Sequence, residues 1–318
     1  MVADDGRDEM HQYFKGVLLV LLSAFGFGLM PIFALYAYRG GINVATLLFI
    51  RFTLATALFL VYILIKHRRI TLNFKDLLHL FILGGVCYTL QSTFYLTAVR
   101  HITPSLAALL LYSFPIYVVI LSCIFEREKL TRMTIASIGV SFAGVLLILG
   151  TSYGRISGLG VVLALGAALV YSVYIMLGNR VIKTIPPIIT STFVSMFAGI
   201  GVIAVSLFTE NLNFSFSPTV WVHIFGLTVF CTIIAILAFF RGIELLGPVR
   251  ASILSMTEPL FTTISAVILL QDRLTAMQAV GGAAVLTGAI LITKARQVQS
   301  SANMEQESCI NEVPLREG

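Results

Sequence analysis

Long apolar stretches alternate with short polar ones along almost the whole chain. A helix needs about 20 apolar residues to cross the hydrocarbon of a bilayer, and the pattern predicts ten such spans. The loops between them are short, so no soluble domain is expected, and the polar segment 295–318 is predicted to be a disordered cytoplasmic tail. The predicted spans, numbered one to ten, are residues 16–38, 44–65, 77–99, 104–125, 131–149, 158–181, 188–208, 219–242, 248–270 and 275–293.

The apolar pattern occurs twice, and the second copy follows the first at a spacing of 144 residues without a gap. Each copy holds five spans, in residues 15–150 and 151–294, after a cytoplasmic segment of residues 1–14. Because five is odd, the second copy enters the membrane from the opposite side. The sequence therefore predicts an all-α integral membrane protein with two inverted five-helix repeats. The matching landmarks are Thr103-Pro104 with Gly247-Pro248, Pro115 with Pro259, Glu128-Lys129-Leu130-Thr131 with Asp272-Arg273-Leu274-Thr275, and Gly144 with Gly288.

The composition agrees with a membrane protein and also predicts its orientation. Hydrophobic residues make up 58% of the chain and charged residues 11%, whereas a soluble domain carries about 25% charged residues. With a cytoplasmic N-terminus, sixteen of the 21 Lys and Arg residues fall on the inner side, four on the outer side and one inside a span. The positive-inside rule then predicts that both termini are cytoplasmic.

Several classes of function find no support in the motifs. The net charge of +6 comes from basic residues spread singly between apolar runs, so no nucleic-acid partner is expected. The four cysteines have no metal-ligand spacing, and no cofactor or metal is expected. The sequence has no GxxxxGK[ST], HExxH or GxSxG motif, which makes an ATP-driven pump or an intramembrane enzyme a distant alternative. The expected partners are a small-molecule substrate and the lipid bilayer, with the chain as a monomer or homodimer.

Four features in combination resemble the EamA-type exporters of the drug/metabolite transporter superfamily, over roughly residues 15–294. They are the acidic-basic-Leu-Thr turn after spans four and nine, the mid-span proline in the same two spans, the Arg51-Phe52 pair in span two and the small-residue segment 23–28 in span one. The chain departs from the pattern at Asp272, where the family more often has Glu. A second departure is Ser195, which occupies the repeat position of Arg51.

The resemblance implies a secondary transporter that works by alternating access in a bacterial inner membrane. It implies export of small metabolites, such as amino acids or related compounds, with proton coupling as one driving force. Importers and carriers of organophosphates or nucleotide sugars belong to the same superfamily and stay as alternatives. The organophosphate reading requires strong basic residues in the cavity, and within the spans only Arg51 qualifies. A channel is a further alternative, which the inverted repeat disfavours.

Glu258 is the first candidate for the transport cycle. It lies well inside span nine, directly before Pro259, where a carboxylate costs about 2.5–3.5 kcal/mol to insert and should face protein or a water-filled cavity. Such a group suits a proton-coupled exchanger that is protonated in one facing state and ionised in the other. The alternative is a structural acid that pairs with backbone groups freed by Pro259. The repeat counterpart of Glu258 is Phe114.

Arg51 is the possible charge partner, about two turns from the outer end of span two. It is placed to bind an anionic substrate group or a carboxylate, but the preferred interpretation is a structural role or a head that snorkels outward to water. Arg241 and Glu244 share a helix face at the end of span eight and predict a surface ion pair, with a cytoplasmic gate as the alternative. Glu128 and Asp272 are interpreted as helix-start residues that mark the fold.

Polar and aromatic residues inside the spans predict a substrate cavity at the interface of the two repeats. Tyr88, Gln91 and Tyr95 fall on one face of span three, and Tyr171 and Tyr174 share a face of span six. Ordinary interhelical packing is the alternative for each residue taken alone. Interior prolines should kink their helices and act as static kinks or hinges. The cavity residues are Glu258, Gln91, Tyr88, Tyr95, Tyr112, Ser113, Tyr171, Tyr174, Phe239 and Ser255, and the kink residues are Pro31, Pro115 and Pro259.

Overall fold

The computed structural model describes residues 2–66, 72–99, 101–102, 104–127, 130–150, 157–209, 212–271 and 273–311. Within these ranges the regular structure is helical without any strand, and ten helical segments are long and apolar enough to cross a membrane. The prediction of an all-α protein with ten spans is confirmed. The turn residues Glu128, Lys129 and Asp272 lie outside the described residues.

Six of the ten spans are uninterrupted α-helices. Side chains define several of their starts: the Asn43 and Thr131 oxygens accept hydrogen bonds from the backbone N–H groups of Thr46 and Thr134. Such a cap satisfies an N–H group that has no partner inside the helix. The six helices are Val2–Arg39 (span one), Val44–Ile65 (two), Arg132–Leu149 (five), Gly158–Val181 (six), Pro187–Thr209 (seven) and Ala276–Asn311 (ten).

The other four spans are interrupted, and they form two pairs of repeat counterparts. Spans three and eight each contain a π-helical segment, which is a wider turn that is frequent at functional sites. Spans four and nine are each broken into two helices. The segments are Phe74–Phe81, the π-helix Ile82–Tyr88 and Thr89–Val99 (span three); Pro104–Leu111 and Phe114–Phe125 (four); Val220–Thr228, the π-helix Val229–Ile234 and Ala235–Leu246 (eight); and Pro248–Ser255 and Glu258–Leu270 (nine).

The breaks in spans four and nine come directly before the interior prolines. Pro115 and Pro259 lie in the first turn of the second helix, where a missing N–H group removes no helical hydrogen bond. At each break the chain closes with tighter bonds to the third preceding residue, such as Thr257 N–H to the Leu254 carbonyl at 3.1 Å. Pro31, in contrast, lies inside the uninterrupted helix Val2–Arg39.

The two repeats are interleaved through their first spans. Span one of the first repeat packs against spans eight and nine of the second, and span six of the second repeat packs against spans three and four of the first. The small residues of span one permit this approach: a Cβ atom on Gly26 would lie 2.6 Å from the Phe230 carbonyl oxygen, and one on Gly28 would lie 2.9 Å from Phe261 Cβ. Both interrupted spans of each repeat therefore face the centre of the molecule.

The last helix is longer than the hydrophobic pattern predicts. It continues through residues 295–311, which the polar composition predicts to be disordered, and ends at Asn311. The sequence has no Gly or Pro between Gly288 and Pro314, so nothing in the backbone chemistry stops the helix at the membrane boundary. The difference concerns a segment that leaves the membrane and does not alter the interior of the bundle.

Candidate functional site

The break in span nine places Glu258 at the first position of the helix Glu258–Leu270. Thr257, which precedes it, is fully buried, and the Glu258 side chain is partly buried. A helix start carries a partial positive charge that favours a negative side chain. Half-helix termini of this kind, buried in the middle of a bundle, are used by transporters to hold charged groups. The chain therefore puts its deepest acid at a helix start inside the membrane.

The break in span four faces this carboxyl group. Tyr112 lies in the non-helical turn between Leu111 and Phe114, and its hydroxyl group interacts with the Glu258 side chain. The two breaks belong to opposite repeats, so this contact joins the two halves of the molecule at their interrupted helices. At the position of Glu258, span four carries Phe114, so the arrangement is one-sided.

A cluster of aromatic rings extends from this contact. The Phe114 and Tyr171 ring centroids are 4.8 Å apart, and Tyr171 stacks on Tyr174 at 5.8 Å with an interplanar angle of 15°. Tyr174 also contacts Tyr88 of span three at 5.8 Å. The Glu258 carboxyl group lies close enough to interact electrostatically with the hydroxyl groups of Tyr171 and of Tyr95. Five predicted cavity tyrosines from spans three, four and six thus form one cluster, and three of them, Tyr95, Tyr112 and Tyr171, interact with the acid.

The remaining predicted cavity residues lie at the edge of this cluster or bond locally. Ser113 and Ser255 donate their hydroxyl groups to backbone carbonyl oxygens of their own turns, at 2.6 Å and 2.9 Å. Phe239 is buried against Phe240, whose ring contacts Tyr174 at 5.8 Å. The Gln91 side-chain oxygen accepts a hydrogen bond from the neighbouring Ser92 at 3.3 Å. Of the three residues on this face of span three, Tyr88 and Tyr95 therefore belong to the cluster, whereas Gln91 bonds locally.

Arg51 is fully enclosed, so of the two preferred interpretations the snorkelling one is wrong, while the contacts agree with a structural role. The side chain is 2% exposed. Its Nε donates to the Thr232 hydroxyl, its Nη2 to the Cys231 carbonyl oxygen at 2.8 Å, and its Nη1 to the Met30 sulfur at 3.0 Å. Both oxygen acceptors lie in the π-helix Val229–Ile234, where the wider turn leaves a carbonyl group for a side-chain donor.

Through these contacts Arg51 connects span two of the first repeat to span eight of the second. The sequence carries little signal for this role, because a π-helix has no clear pattern of residues and Thr232 is one of many hydroxyl residues in the spans. Neither the substrate-binding nor the snorkelling interpretation predicts hydrogen bonds from Arg51 to Thr232 and Cys231. Cys231 interacts electrostatically with both Arg51 and Glu258, so the Arg51 contacts lie beside the tyrosine cluster.

Two polar contacts lie at the span ends that the basic residues predict to be cytoplasmic. Arg241 and Glu244 form the expected ion pair, with side chains 45% and 32% exposed. The second contact was not expected from the sequence: Asn179 Nδ2, at the end of span six, donates to Glu126 Oε1, at the end of span four, at 2.9 Å. Asn179 is 5% exposed. An Asn near the end of an apolar span is the only signal that the sequence gives for it.

Comparison with known families matches the chain twice to one sequence profile. The EamA-like transporter family profile matches residues 14–150 and residues 158–294. A protein of Archaeoglobus fulgidus named "Uncharacterized transporter" is 27% identical over 249 residues, which cover 78% of this chain and 87% of that protein. The "Uncharacterized transporter YyaM" of Bacillus subtilis is 24% identical over 271 residues, which cover 81% of this chain and 87% of that protein.

A solved crystal structure has the same fold. It superposes with a TM-score of 0.75 at 18% sequence identity, and the alignment covers 89% of this chain and 98% of that one. This likeness concerns the fold alone, including the order and packing of the spans. The two profile matches fall on the two five-span units of the fold.

Proposed function

Because the chain belongs to the EamA-like transporter family, we propose that it is a secondary active exporter of small metabolites that works by alternating access. The chain is a multi-pass membrane protein and a transporter of the drug/metabolite superfamily. The proposal adds the direction, the coupling and the class of substrate: outward movement of amino acids or related compounds, in exchange for protons, across the cytoplasmic membrane. Both termini would be cytoplasmic, as the distribution of Lys and Arg predicts.

The contact between Tyr112 and Glu258 carries the proposal. It joins the two inverted repeats at their broken helices, and sites of such transporters lie at the repeat interface near the membrane midplane. When the repeats rock against each other, the contact must break or lengthen, so the carboxyl group changes its surroundings between the two facing states. An acid in that position is suited to take up a proton on one side and release it on the other.

The rings around Glu258 support a substrate of moderate polarity with an apolar or aromatic part. Tyr side chains offer a flat apolar surface and a hydroxyl group for a polar contact. The sites that Tyr88, Tyr95 and Tyr171 provide come from two spans, one of each repeat, which suits a ligand held between the halves. Amino acids and related metabolites combine both features.

The organophosphate alternative has less support. A phosphate site requires cationic donors that are free to reach the ligand, and the three nitrogen atoms of Arg51 already have acceptors within the protein. The Lys and Arg residues that remain in the described spans lie at their ends.

A toxicity-rescue and efflux experiment tests the proposal. Cells that overproduce the protein are challenged with a panel of amino acids, analogues and related metabolites, and efflux of each hit from preloaded cells is measured at two external pH values. We expect rescue by the wild type and by Glu244→Gln, an acid of the exposed ion pair, and loss of rescue in Glu258→Gln. If Glu258→Gln reaches the membrane, rescues, and keeps the pH dependence, Glu258 is structural. If nothing is rescued, the exporter proposal fails.

A further inference from the structure

A polar groove lies between the ends of spans nine and ten that the predicted orientation places outside. Its volume is about 380 Å³. Span nine contributes Thr262, Thr263, Ala266 and Val267, and the following turn and span ten contribute Arg273 and Gln278. The groove therefore begins one helical turn beyond Glu258 and ends at a basic residue.

The groove lies on the side of span nine away from two of its exposed residues. At 100° per residue, the groove residues of span nine cover one side of the helix. Ile264 and Ile268, at 42% and 70% exposed, cover the opposite side and form the lipid-facing surface. A polar surface away from the lipid at the end of a span is the expected position of an aqueous vestibule.

The groove offers hydrogen-bond acceptors along its wall and a cation at its mouth. The Thr262 and Thr263 hydroxyl groups donate to the carbonyl oxygens of Glu258 and Pro259, at 3.1 Å and 2.9 Å, so each hydroxyl oxygen keeps lone pairs that can accept a hydrogen bond. The Arg273 side chain is exposed and makes no hydrogen bond or ion pair with another described residue. Its guanidinium group has the fork of donors that matches a carboxylate.

We propose that this groove is the outer vestibule of the transport path, and that Arg273 binds the carboxylate of the substrate as it passes between Glu258 and the outside. The inference rests on the proposed function and narrows the substrate class to small molecules with an anionic carboxylate. Since a charge contact at an exposed site is weak, Arg273 contributes roughly twofold to fivefold in apparent affinity. That strength suits a step that must release its ligand.

Charged thiol reagents test the vestibule without knowledge of the substrate. Single cysteines are introduced as Thr263→Cys in the groove and Ile268→Cys on the lipid face, and both are treated from outside with a negatively and a positively charged methanethiosulfonate. We expect rapid labelling of Thr263→Cys and slow labelling of Ile268→Cys, relative to a parent without the added cysteine. Equal labelling at the two positions would show that the groove is not a separate aqueous path.

The role of Arg273 is read from the ratio of the two labelling rates at Thr263→Cys. Arg273→Gln should lower the rate of the anionic reagent relative to the cationic one severalfold, while Arg39→Gln, which removes another charge of the outer set, should leave the ratio unchanged. An unchanged ratio in Arg273→Gln overturns the anion site. In efflux assays Arg273→Gln should raise the KM for carboxylate substrates with little change in maximal rate. Active efflux with an unaltered KM would reject this inference and leave the transporter proposal intact.

A different observation concerns the opposite ends of the spans. Asn179 and Glu126 join spans six and four of different repeats by a partly buried hydrogen bond at 2.9 Å. The repeat counterparts of these residues are Leu35 and Leu270, so the outer ends have an apolar pair where the inner ends have a polar one. We infer that the Asn179–Glu126 bond is an inner latch, which keeps the cytoplasmic side closed while the outer groove is open.

Alkylation of a reporter cysteine from the cytoplasmic side tests the latch. The reporter is Met176→Cys, because Met176 lies one turn from Asn179 and its side chain is 6% exposed in the structure. Asn179→Ala should raise its alkylation rate in inside-out vesicles severalfold and lower the labelling of Thr263→Cys from outside. Glu126→Gln keeps an oxygen acceptor for Asn179 and should behave like the wild type, whereas Glu126→Ala should behave like Asn179→Ala. Unchanged rates in both alanine variants contradict the latch.

Discussion

Replacement of Arg51 by Met is expected to destabilise the protein. Met fills much of the same volume but cannot donate hydrogen bonds, so the Cys231 carbonyl oxygen loses its side-chain donor. The Thr232 hydroxyl keeps its bond to the Leu227 carbonyl oxygen at 3.1 Å. The loss is therefore concentrated on one buried acceptor and on the charged bonds themselves.

The magnitude follows from the two bonds to oxygen. Hydrogen bonds to a charged group contribute about 1.5–3 kcal/mol each, and burial of the guanidinium group opposes part of that gain. We expect a net loss of about 2 kcal/mol, which lowers the unfolding midpoint by roughly 4 °C in a chain of this size. The unfolding midpoint of Arg51→Lys should lie between those of the wild type and Arg51→Met, because one ammonium group cannot match three acceptors in different directions.

The assay is the temperature at which half of the purified protein in detergent loses its monodisperse elution. Ser195→Ala is the matched control, since Ser195 occupies the same position in the other repeat. Its buried hydroxyl group has no hydrogen-bond partner in the described part of the chain, so its removal should cost nothing or stabilise slightly. An unfolding midpoint of Arg51→Met equal to that of the wild type would refute the reasoning. It would show that the hydrogen bonds of Arg51 only offset the cost of burying its charge.

Three further predictions concern the site and its packing. Tyr112→Phe keeps the ring but removes the hydroxyl group that interacts with Glu258, so efflux should persist with an altered pH profile; an unchanged profile would place the contact outside the transport cycle. Tyr174→Leu removes the stack with Tyr171 and should raise the KM for aromatic substrates more than for aliphatic ones in competition assays. Gly28→Val places side-chain atoms against Phe261 and should cost about 1–3 kcal/mol in the thermal assay, whereas Gly139→Ala, which meets no neighbour within 4 Å, should cost little.

The sequence predicts the span count, the repeat and the kinks in spans four and nine because each has a local cause. A span requires a run of apolar residues, and proline lacks the N–H group that a helix interior requires, so Pro115 and Pro259 lie at the start of a new helix. The π-helices of spans three and eight were not predicted. The tyrosines of the site follow from helical spacing: Tyr171 and Tyr174, three residues apart, stack on each other. These features depend on neighbours in sequence and on one period.

Contacts between distant spans do not follow from local pattern. The acceptors of Arg51 depend on the π-helix Val229–Ile234, and the partner of Asn179 depends on the relative height of spans four and six. A shift of one residue along either helix would rotate each side chain by about 100° and separate the partners. The groove at Arg273 likewise depends on how the ends of spans nine and ten diverge.

The most direct test is flux of a rescued compound in proteoliposomes with an imposed pH gradient, for the wild type and Glu258→Gln. The account predicts that a proton gradient directed opposite to the substrate accelerates wild-type flux severalfold. Glu258→Gln should exchange substrate for substrate without any response to the gradient. Gradient-driven flux that persists in Glu258→Gln would contradict the assignment of the proton-linked step to the carboxyl group between the two repeats.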